Sequence, residues 1–499
     1  MPAARHSRTK SLTLDVAGQR CLLLGGNGAG MTALAEILVT LGHTVTGIDK
    51  NVDVPEQRHP NIRILPWSHQ EGAAQSFDIC VASPAIPQNE PVLQQVLATG
   101  IPVISLHECL ADVFSGSRQM CVAGTHGKST TSAMLAWILE VAGVQPGFFV
   151  GAHQSNFDCS GRGATTNAPA AVVWSVLESC EYSRSFHHFA PTTVVLTGIE
   201  RDHFDCFPDQ PSEDAAFRTF VEKLPTDGTV VFNLDCQRSR QLASVVGRPT
   251  ATFQLIDDDP LTIGSAAPRH GQVPSSANHW VARQIRHAGF GTHFQLHNGD
   301  QQYSIRLAIP GRHNVANATA AIVAATQAGI SIEECRVALA TFQGIRRRFE
   351  LCGQYNGMTL VDDYAHHPTA IRATLRTARE AYPDRRIIAA FEPHQIIRTA
   401  ALFPEFVNSL LLADEILLLP AFPARENVTH LECCRTSGRL VKELNNRGAK
   451  AFLFANLDQI VSRIDHSGRP TDIILTMGAG RTNLIHDQLT RRLQRHSVA

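Results

Sequence analysis

The stretch Met-Cys-Val-Ala-Gly-Thr-His-Gly-Lys-Ser-Thr-Thr-Ser, residues 120–132, decides how this chain is read. An apolar run ends in Gly124, and Gly127, Lys128 and Ser129 lead into an apolar helical stretch. That order predicts a strand, a loop and a helix shaped around a triphosphate. Glycines let backbone N–H groups approach phosphate oxygens closely. The positive end of the following helix favours the anion. Lys128 has the reach for the outer phosphates, and the Ser129 hydroxyl suits a magnesium ion. The spacing departs from the usual Walker pattern, because Val122 stands where that pattern has glycine. A glycine turn capped by Thr125 accounts for the glycines, but not for Gly-Lys-Ser at a strand end.

The rest of the chain narrows the class. Its 499 residues suggest about three domains. With 43% hydrophobic and 18% charged residues it reads as an ordinary soluble globular protein. A net charge of -1 gives no global field for nucleic acid or anionic membrane, so an anionic ligand must be held locally. No stretch reaches the roughly 20 apolar residues that span a bilayer. The basic first ten residues lack the apolar core of a signal peptide and read as a disordered lead-in to a cytoplasmic enzyme. Twelve scattered cysteines without a CxxC pair read as reduced core residues and argue against a zinc centre.

Working outward, the expected fold is α/β with three domains. Residues 1–117 form a Rossmann-like N-terminal domain, 118–343 a central P-loop ATPase-type domain, and 344–499 a C-terminal Rossmann-like domain. The first opens with a strand at Arg20–Leu24, a turn rich in glycine at 25–30 and a helix from Met31. A second strand, Val45–Ile48, ends at Asp49, as in dinucleotide-type folds. A tight strand-to-helix turn needing small residues explains the same glycines. Asp78–Ala82 reads as a further strand running into the rigid loop 83–87, and 111–119 as the first linker. Buried strands are expected at Ala171–Leu177 and Thr192–Leu196, surface loops with excursion strands over 257–297, and a helix near Asn314–Ala328. The third domain shows strands at Thr359–Val361, Arg386–Phe391, Glu415–Leu419 and Ile473–Thr476 alternating with helices, the pattern of a parallel sheet covered on both faces.

Further blocks place polar groups at strand ends. Glu178-Ser-Cys-Glu181 follows one apolar strand, and Thr197-Gly-Ile-Glu-Arg-Asp-His203 another. Magnesium takes hard oxygens, so Glu178 fits, whereas His203 is either a metal neighbour or a hydrogen-bonded loop histidine. His313 and Asn317, at i and i+4, share a helical face that either caps the helix or contacts a base. The arginines 346–348 are either solvated surface or a hinge that swings onto a nucleotide. Asp362-Asp-Tyr-Ala-His-His-Pro368 at a strand end has the composition of a site.

Taken together these blocks resemble the Mur ligases, the ATP-dependent amide-forming enzymes of peptidoglycan synthesis. The resemblance is carried by residues 25–31, 83–87, 124–131, 310–317, 347–350, 362–368, Pro393-His394 and 476–480, in family order. The Gly-Ala-Gly-Met turn at 28–31 is similar to that of the alanine-adding branch. The resemblance implies that the first domain binds a UDP-sugar through Gly26, Gly28, Gly30, Met31, Asp49, Ser83 and Ala85. It implies ATP contacts from Gly124, Thr125, His126, Gly127, Lys128, Ser129, Thr130, His313, Asn317, Arg347 and Asp363. Magnesium would be associated with Ser129, Glu178 and His203, and Lys128, His366, His367 and Arg398 would serve catalysis. The implied cofactors are ATP and Mg2+, and the partners are small-molecule substrates, with no nucleic acid and no membrane insertion, in a monomer or homodimer. In the implied reaction a sugar carboxylate attacks the γ-phosphate, and the amino acid's amine then attacks the acyl phosphate.

Departures cluster at this site. Where the family usually reads Glu-Ala-Asp-Glu-Ser-Asp, residues 178–183 read Glu-Ser-Cys-Glu-Tyr-Ser, with Cys180 and Ser183 replacing carboxylates. Gln395 stands where arginine is expected, and Arg481 where aspartate is. Alongside an active ligase, two alternatives are a nucleotide-binding paralogue with drifted chemistry and a ligase for another amino acid or a recycled muropeptide.

Overall fold

The computed structural model describes residues 18–52, 56–69, 76–164, 172–256 and 278–496. The expected lead-in and the span 257–277 lie outside the described residues. Three sheets follow one another along the chain, each built from short runs of aliphatic residues that are buried between helices.

The first sheet orders its strands Glu56–His59, Ile62–Pro66, Thr44–Asp49, Arg20–Leu24, Ile79–Ala82, Val103–Ser105. Only Glu56–His59 runs antiparallel to its neighbour. The turn after Arg20–Leu24 and the loop after Ile79–Ala82 therefore emerge side by side at the carboxyl end of the sheet, where such sheets take ligands.

The central sheet has ten strands. The phosphate-loop strand Arg118–Ala123 lies in its middle, between Pro191–Leu196 and Trp174–Glu178, and all three are parallel. This order brings the segments beginning at Ser179 and Thr197 to either flank of the loop. Helix Lys128–Val141 packs on helix Arg312–Gln327, whose alanines at 318, 320, 321, 324 and 325 are fully buried and allow close approach.

The third sheet is ordered Glu350–Tyr355, Met358–Asp363, Ile473–Met477, Ile387–Phe391, Glu415–Leu418, Ala451–Leu453. It is parallel except for Glu350–Tyr355, an antiparallel edge strand that the alternating pattern does not reveal.

One other reading is corrected. The expected linker at 111–119 begins inside a helix, Leu106–Val113, and ends inside strand Arg118–Ala123. Ser105 and Glu108 form a reciprocal capping box that starts this helix and carries it through residue 113. The excursion strands expected within 257–297 are Asn278–Ala288 and Gly291–Asn298, continued beyond the expected span by Gln301–Leu307. Trp280, Ala282, Phe294, Leu296, Ile305 and Leu307 alternate into the core, and the polar residues between them face outward.

The first and central units share a hydrophobic core. Met31, Leu34 and Ile37 cluster with Phe149, Leu177 and Phe186. The Glu36 carboxylate accepts hydrogen bonds from the N–H groups of Ser160 (2.7 Å) and Gly161 (3.0 Å). A Cβ at Gly161 would stand 2.4 Å from the Ala33 carbonyl oxygen, so only glycine allows this contact.

Candidate active site

The phosphate loop has the backbone its glycines permit. Gly124 (φ 128°) and Gly127 (φ 79°) lie in the left-handed region, and Gly127 is the N-cap of helix Lys128–Val141. A Cβ at Gly127 would stand 2.3 Å from Asn317 Oδ1. Asn317 is thus packed beneath the loop, where it accepts from Thr131 Oγ1 (3.3 Å) and donates to Asn314 Oδ1 (3.1 Å). His313, one turn earlier, has Glu380, Arg348 and His287 as charged neighbours, and burial pushes its imidazole down to about 4.

Lys128 Nζ donates to Gly124 O (2.5 Å) and pairs with Glu181 Oε2 at 2.9 Å. Burial works against its charge, yet the Glu181 carboxylate holds it above the ordinary lysine range. Glu181, 1% exposed, is likewise penalised by burial but held down at about 2 by Lys128 and His203. Beside this pair the Ser129 hydroxyl donates to Glu178 Oε1 (2.8 Å), and the Gly151 N–H donates to Glu178 Oε2 (2.6 Å). A hydroxyl and a carboxylate at the start of a phosphate-binding helix are hard oxygen donors, which fits magnesium. His203 Nε2 lies 3.6 Å from Glu181 Oε1.

The C-terminal unit closes over this surface. Arg398, 3% exposed, pairs with Asp202 at 2.7 Å. Thr369 Oγ1 donates to Glu200 Oε2 (2.7 Å), and His367 Nε2 lies 3.3 Å from the Arg201 carbonyl oxygen. The His126 and His367 rings are 4.7 Å apart, and His126 Nε2 lies 3.4 Å from Glu200 Oε2. Arg425 places its guanidinium 4.4 Å from the centroid of Tyr182, whose ring meets His203 edge-on at 5.1 Å. His366 and His367 are both displaced below the ordinary imidazole range by burial, His367 to about 4. His366 Nδ1 faces the Tyr364 carbonyl at 2.8 Å, which fixes that nitrogen as the donor and leaves the lone pair on Nε2.

Two candidates are committed within the C-terminal unit. Arg347 donates to Asp362 Oδ2 (3.1 Å) and to the carbonyls of Gly478 and Gly480. Asp363 accepts from the N–H groups of Phe349 and Ala365, and burial raises its carboxyl to about 6. Of the departures, Gln395 is the N-cap of the helix carrying Arg398, with φ 70°. Arg481 lines a cavity of about 520 Å3 with Glu392, Phe422 and His430.

At the first sheet, Gly25 (φ 80°) makes the turn and Gly28 caps helix Ala29–Thr40. Gly26 lies against Gly47, and Gly30 against Leu106. Asp49 accepts from the Asn27 N–H (2.9 Å), and so holds the turn in place. Ser83 Oγ accepts from the Ala85 N–H, beside Gly25. Met31 is buried in the core, which leaves the backbone N–H groups at the start of helix Ala29–Thr40 as the feature suited to an anion.

Sequence reasoning left four contacts unassigned: Glu181 to Lys128, Asp202 to Arg398, Glu200 to Thr369, and Tyr182 to Arg425. Their only sequence signal was acidic groups near strand ends.

Comparison with known proteins gives matches along nearly the whole chain. Residues 23–118 match the model "Mur ligase family, catalytic domain", 122–325 "Mur ligase middle domain", and 347–480 "Mur ligase, glutamate ligase domain". The UDP-N-acetylmuramate–L-alanine ligase of Roseiflexus castenholzii is 33% identical over 473 residues, covering 92% of this chain and 94% of the relative. That of Nitratidesulfovibrio vulgaris is also 33% identical, covering 93% and 96%. Among solved structures, a UDP-N-acetylmuramate–alanine ligase from Thermotoga maritima superposes with TM-score 0.75 at 21% identity, covering 96% and 100% of the two chains. A murein peptide ligase from Psychrobacter arcticus gives 0.70 at 26%, covering 95% and 99%.

Proposed function

The chain belongs to the Mur ligase family, and on that premise we propose that it joins L-alanine to UDP-N-acetylmuramate with cleavage of ATP to ADP and phosphate. The observation that carries this reading is the full-length likeness to alanine-adding relatives together with Lys128 and Ser129 set on neighbouring carboxylates at the phosphate loop.

The roles follow from chemistry. The N-terminal unit takes the UDP-sugar, with its pyrophosphate on the glycine turn and on the N-terminus of helix Ala29–Thr40. The phosphate loop takes ATP; Lys128 would move from Glu181 to the outer phosphates, and Ser129 with Glu178 would hold a magnesium ion. Bound there, the ion would supply charge neutralisation to the phosphates. His313 and Asn317 on the central unit, and Asp363 and Arg347 on the C-terminal unit, border the nucleoside. The sugar's lactyl carboxylate attacks the γ-phosphorus, forming an acyl phosphate and releasing ADP. The amine of alanine then attacks the acyl carbon, and phosphate leaves. Most of the rate enhancement comes from positioning and electrostatics, with closure of the C-terminal unit through Asp202 and Arg398 completing the site. His366 suits the proton acceptor for the amine better than His367, since its Nε2 lone pair is free while His367 is bonded at both ring nitrogens. ATP and a UDP-sugar are cytoplasmic metabolites, which puts the reaction there. Among the described residues no helix is long and apolar enough to cross a membrane.

The test is phosphate release from ATP and magnesium with UDP-N-acetylmuramate across a panel of L-amino acids. Release that requires both the sugar nucleotide and alanine supports the reading. Release with another amino acid, or none with nucleotide binding intact, overturns it.

A further inference from the structure

His203 has other neighbours than a hard-oxygen site would give it. Its Nε2 faces Glu181 Oε1, and the Cys180 thiol completes a set of three donor atoms within 4.8 Å of one another. The set is built from two segments that the sheet order brings together. Cys180 and Glu181 follow strand Trp174–Glu178, and His203 follows Pro191–Leu196, on opposite flanks of the phosphate-loop strand. The His203 backbone is held at φ 52° by hydrogen bonds: its N–H donates to Asp202 Oδ1 (2.7 Å), and its carbonyl accepts from Cys206 and Phe207. The Tyr182 ring packs against its imidazole. The ring is therefore fixed where the thiol and carboxylate converge.

We propose that Cys180, Glu181 and His203 form a cation site of thiolate character, selective for a borderline divalent ion such as zinc or cobalt over magnesium. Tetrahedral sulfur, nitrogen and oxygen ligands at metal-bond lengths stand about 3.3–3.6 Å apart. The separation of His203 Nε2 and Glu181 Oε1, 3.6 Å, meets that requirement. Magnesium prefers an octahedron of hard oxygens, whereas thiolate and imidazole suit zinc and cobalt. Lys128 Nζ donates to both Glu181 oxygens, to Oε2 at 2.9 Å and to Oε1 at 3.3 Å, so Oε1, which also faces His203, is the one it holds less closely and the one an ion would share. Three protein donors leave a fourth position for water or a substrate oxygen. An ion here stands beside Lys128 and adds a second positive charge next to the phosphate loop. The donors come from separate strands and follow no CxxC or HxxxH spacing, so the sequence carries no zinc signature.

Binding is read without substrate, so the outcome is independent of the ligase reading. The whole chain, free of nucleotide, is titrated with cobalt(II), and thiolate-to-cobalt charge-transfer absorption is followed in the near ultraviolet. The expected result is a saturable 1:1 band, displaced by zinc and not by excess magnesium. Cys180→Ala and His203→Ala, with circular dichroism matching the parent, lose the band. Cys180→Asp loses the band and narrows the preference for cobalt over magnesium by roughly tenfold or more. A band of unchanged intensity in Cys180→Ala, or no saturable cobalt binding by the parent, overturns the site.

Discussion

Arg398 and Asp202, 196 positions apart in sequence, form a doubly bonded ion pair where the central and C-terminal units meet. Arg398 Nε donates to Asp202 Oδ1 at 2.7 Å, and a second guanidinium nitrogen stands at the same distance. Both side chains are almost wholly buried. Burial alone would raise the Asp202 carboxyl, yet His203 and Arg398 hold it far below the ordinary carboxylate range.

Removing one partner leaves an uncompensated buried charge, at a cost of about 3–5 kcal/mol. Arg398→Ala should therefore cut kcat by roughly 100-fold or more while leaving UDP-sugar binding at the N-terminal unit within twofold. Arg398→Lys should recover part of the loss. Combining Arg398→Ala with Asp202→Asn should cost less than the sum of the single changes. Strict additivity in that double-mutant cycle would mean that the pair does not couple the two units.

The Lys128–Glu181 pair predicts a pH dependence with a defined sign. Glu181 sits at about 2 in the folded protein against an ordinary 4.5, because Lys128 outweighs the burial penalty. The folded value is depressed, so its stabilisation is complete above about 4.5 and is lost as pH falls toward 2. Denaturant unfolding between pH 6 and pH 3 should show a stability decline on the order of a few kcal/mol that is shallower in Glu181→Gln. An identical slope in the variant would remove Glu181 as its source. Lys128→Ala should abolish ATP turnover and spare UDP-sugar binding, a contrast that calorimetry with each ligand resolves.

What could be read from sequence was what local pattern determines. The strand Arg20–Leu24 has its expected bounds because four fully buried residues end abruptly in a glycine turn. Lys128 and Ser129 were legible because loop, lysine and hydroxyl are contiguous. The helix Leu106–Val113 was missed because its start depends on reciprocal bonds between Ser105 and Glu108, which a polar, glycine-containing composition conceals. The excursion strands within 257–297 were expected without their bounds, because the buried Trp280, Phe294 and Leu296 are spaced among histidines, glutamines and asparagines. Glu181 and Asp202 could not be assigned, because their partners are chosen by sheet order and by the docking of the third unit.

The seam between the first two units makes a sharper test of packing. Gly161 lies so close to helix Ala29–Thr40 that an added Cβ would be 2.4 Å from Ala33 O and 2.8 Å from Ile37 Cγ1. Gly161→Ala must push the hairpin off the helix and loosen the two Glu36 hydrogen bonds, at a cost of about 1–3 kcal/mol. Thermal melts should fall by roughly 2–8 °C, and hydrogen exchange should quicken at Ser160 and in the helix. Unchanged protection at both places would show that the units are not held through this contact.

Arg481 tests whether a charge at the end of strand Ile473–Met477 reaches the reacting groups. Its backbone N–H donates to Glu392 Oε2 at 3.1 Å, and its side chain lines the cavity of about 520 Å3 shared with Phe422. Phe422 packs its ring 5.5 Å from His394, and its carbonyl accepts from the Gln395 N–H at 2.8 Å. The cavity wall thus continues into the loop that leads to Arg398. Burial already raises the Glu392 carboxyl, and Arg481 offsets part of that effect. Arg481→Asp replaces an attraction by a like-charge contact, so the wall should shift around Phe422 and His394. The expected outcome is a change of roughly threefold or more in the KM for alanine, with the KM for ATP nearly constant. Equal KM values for alanine in parent and variant would place Arg481 outside the surroundings of the amino acid, and its charge inversion would then carry no consequence for the reaction.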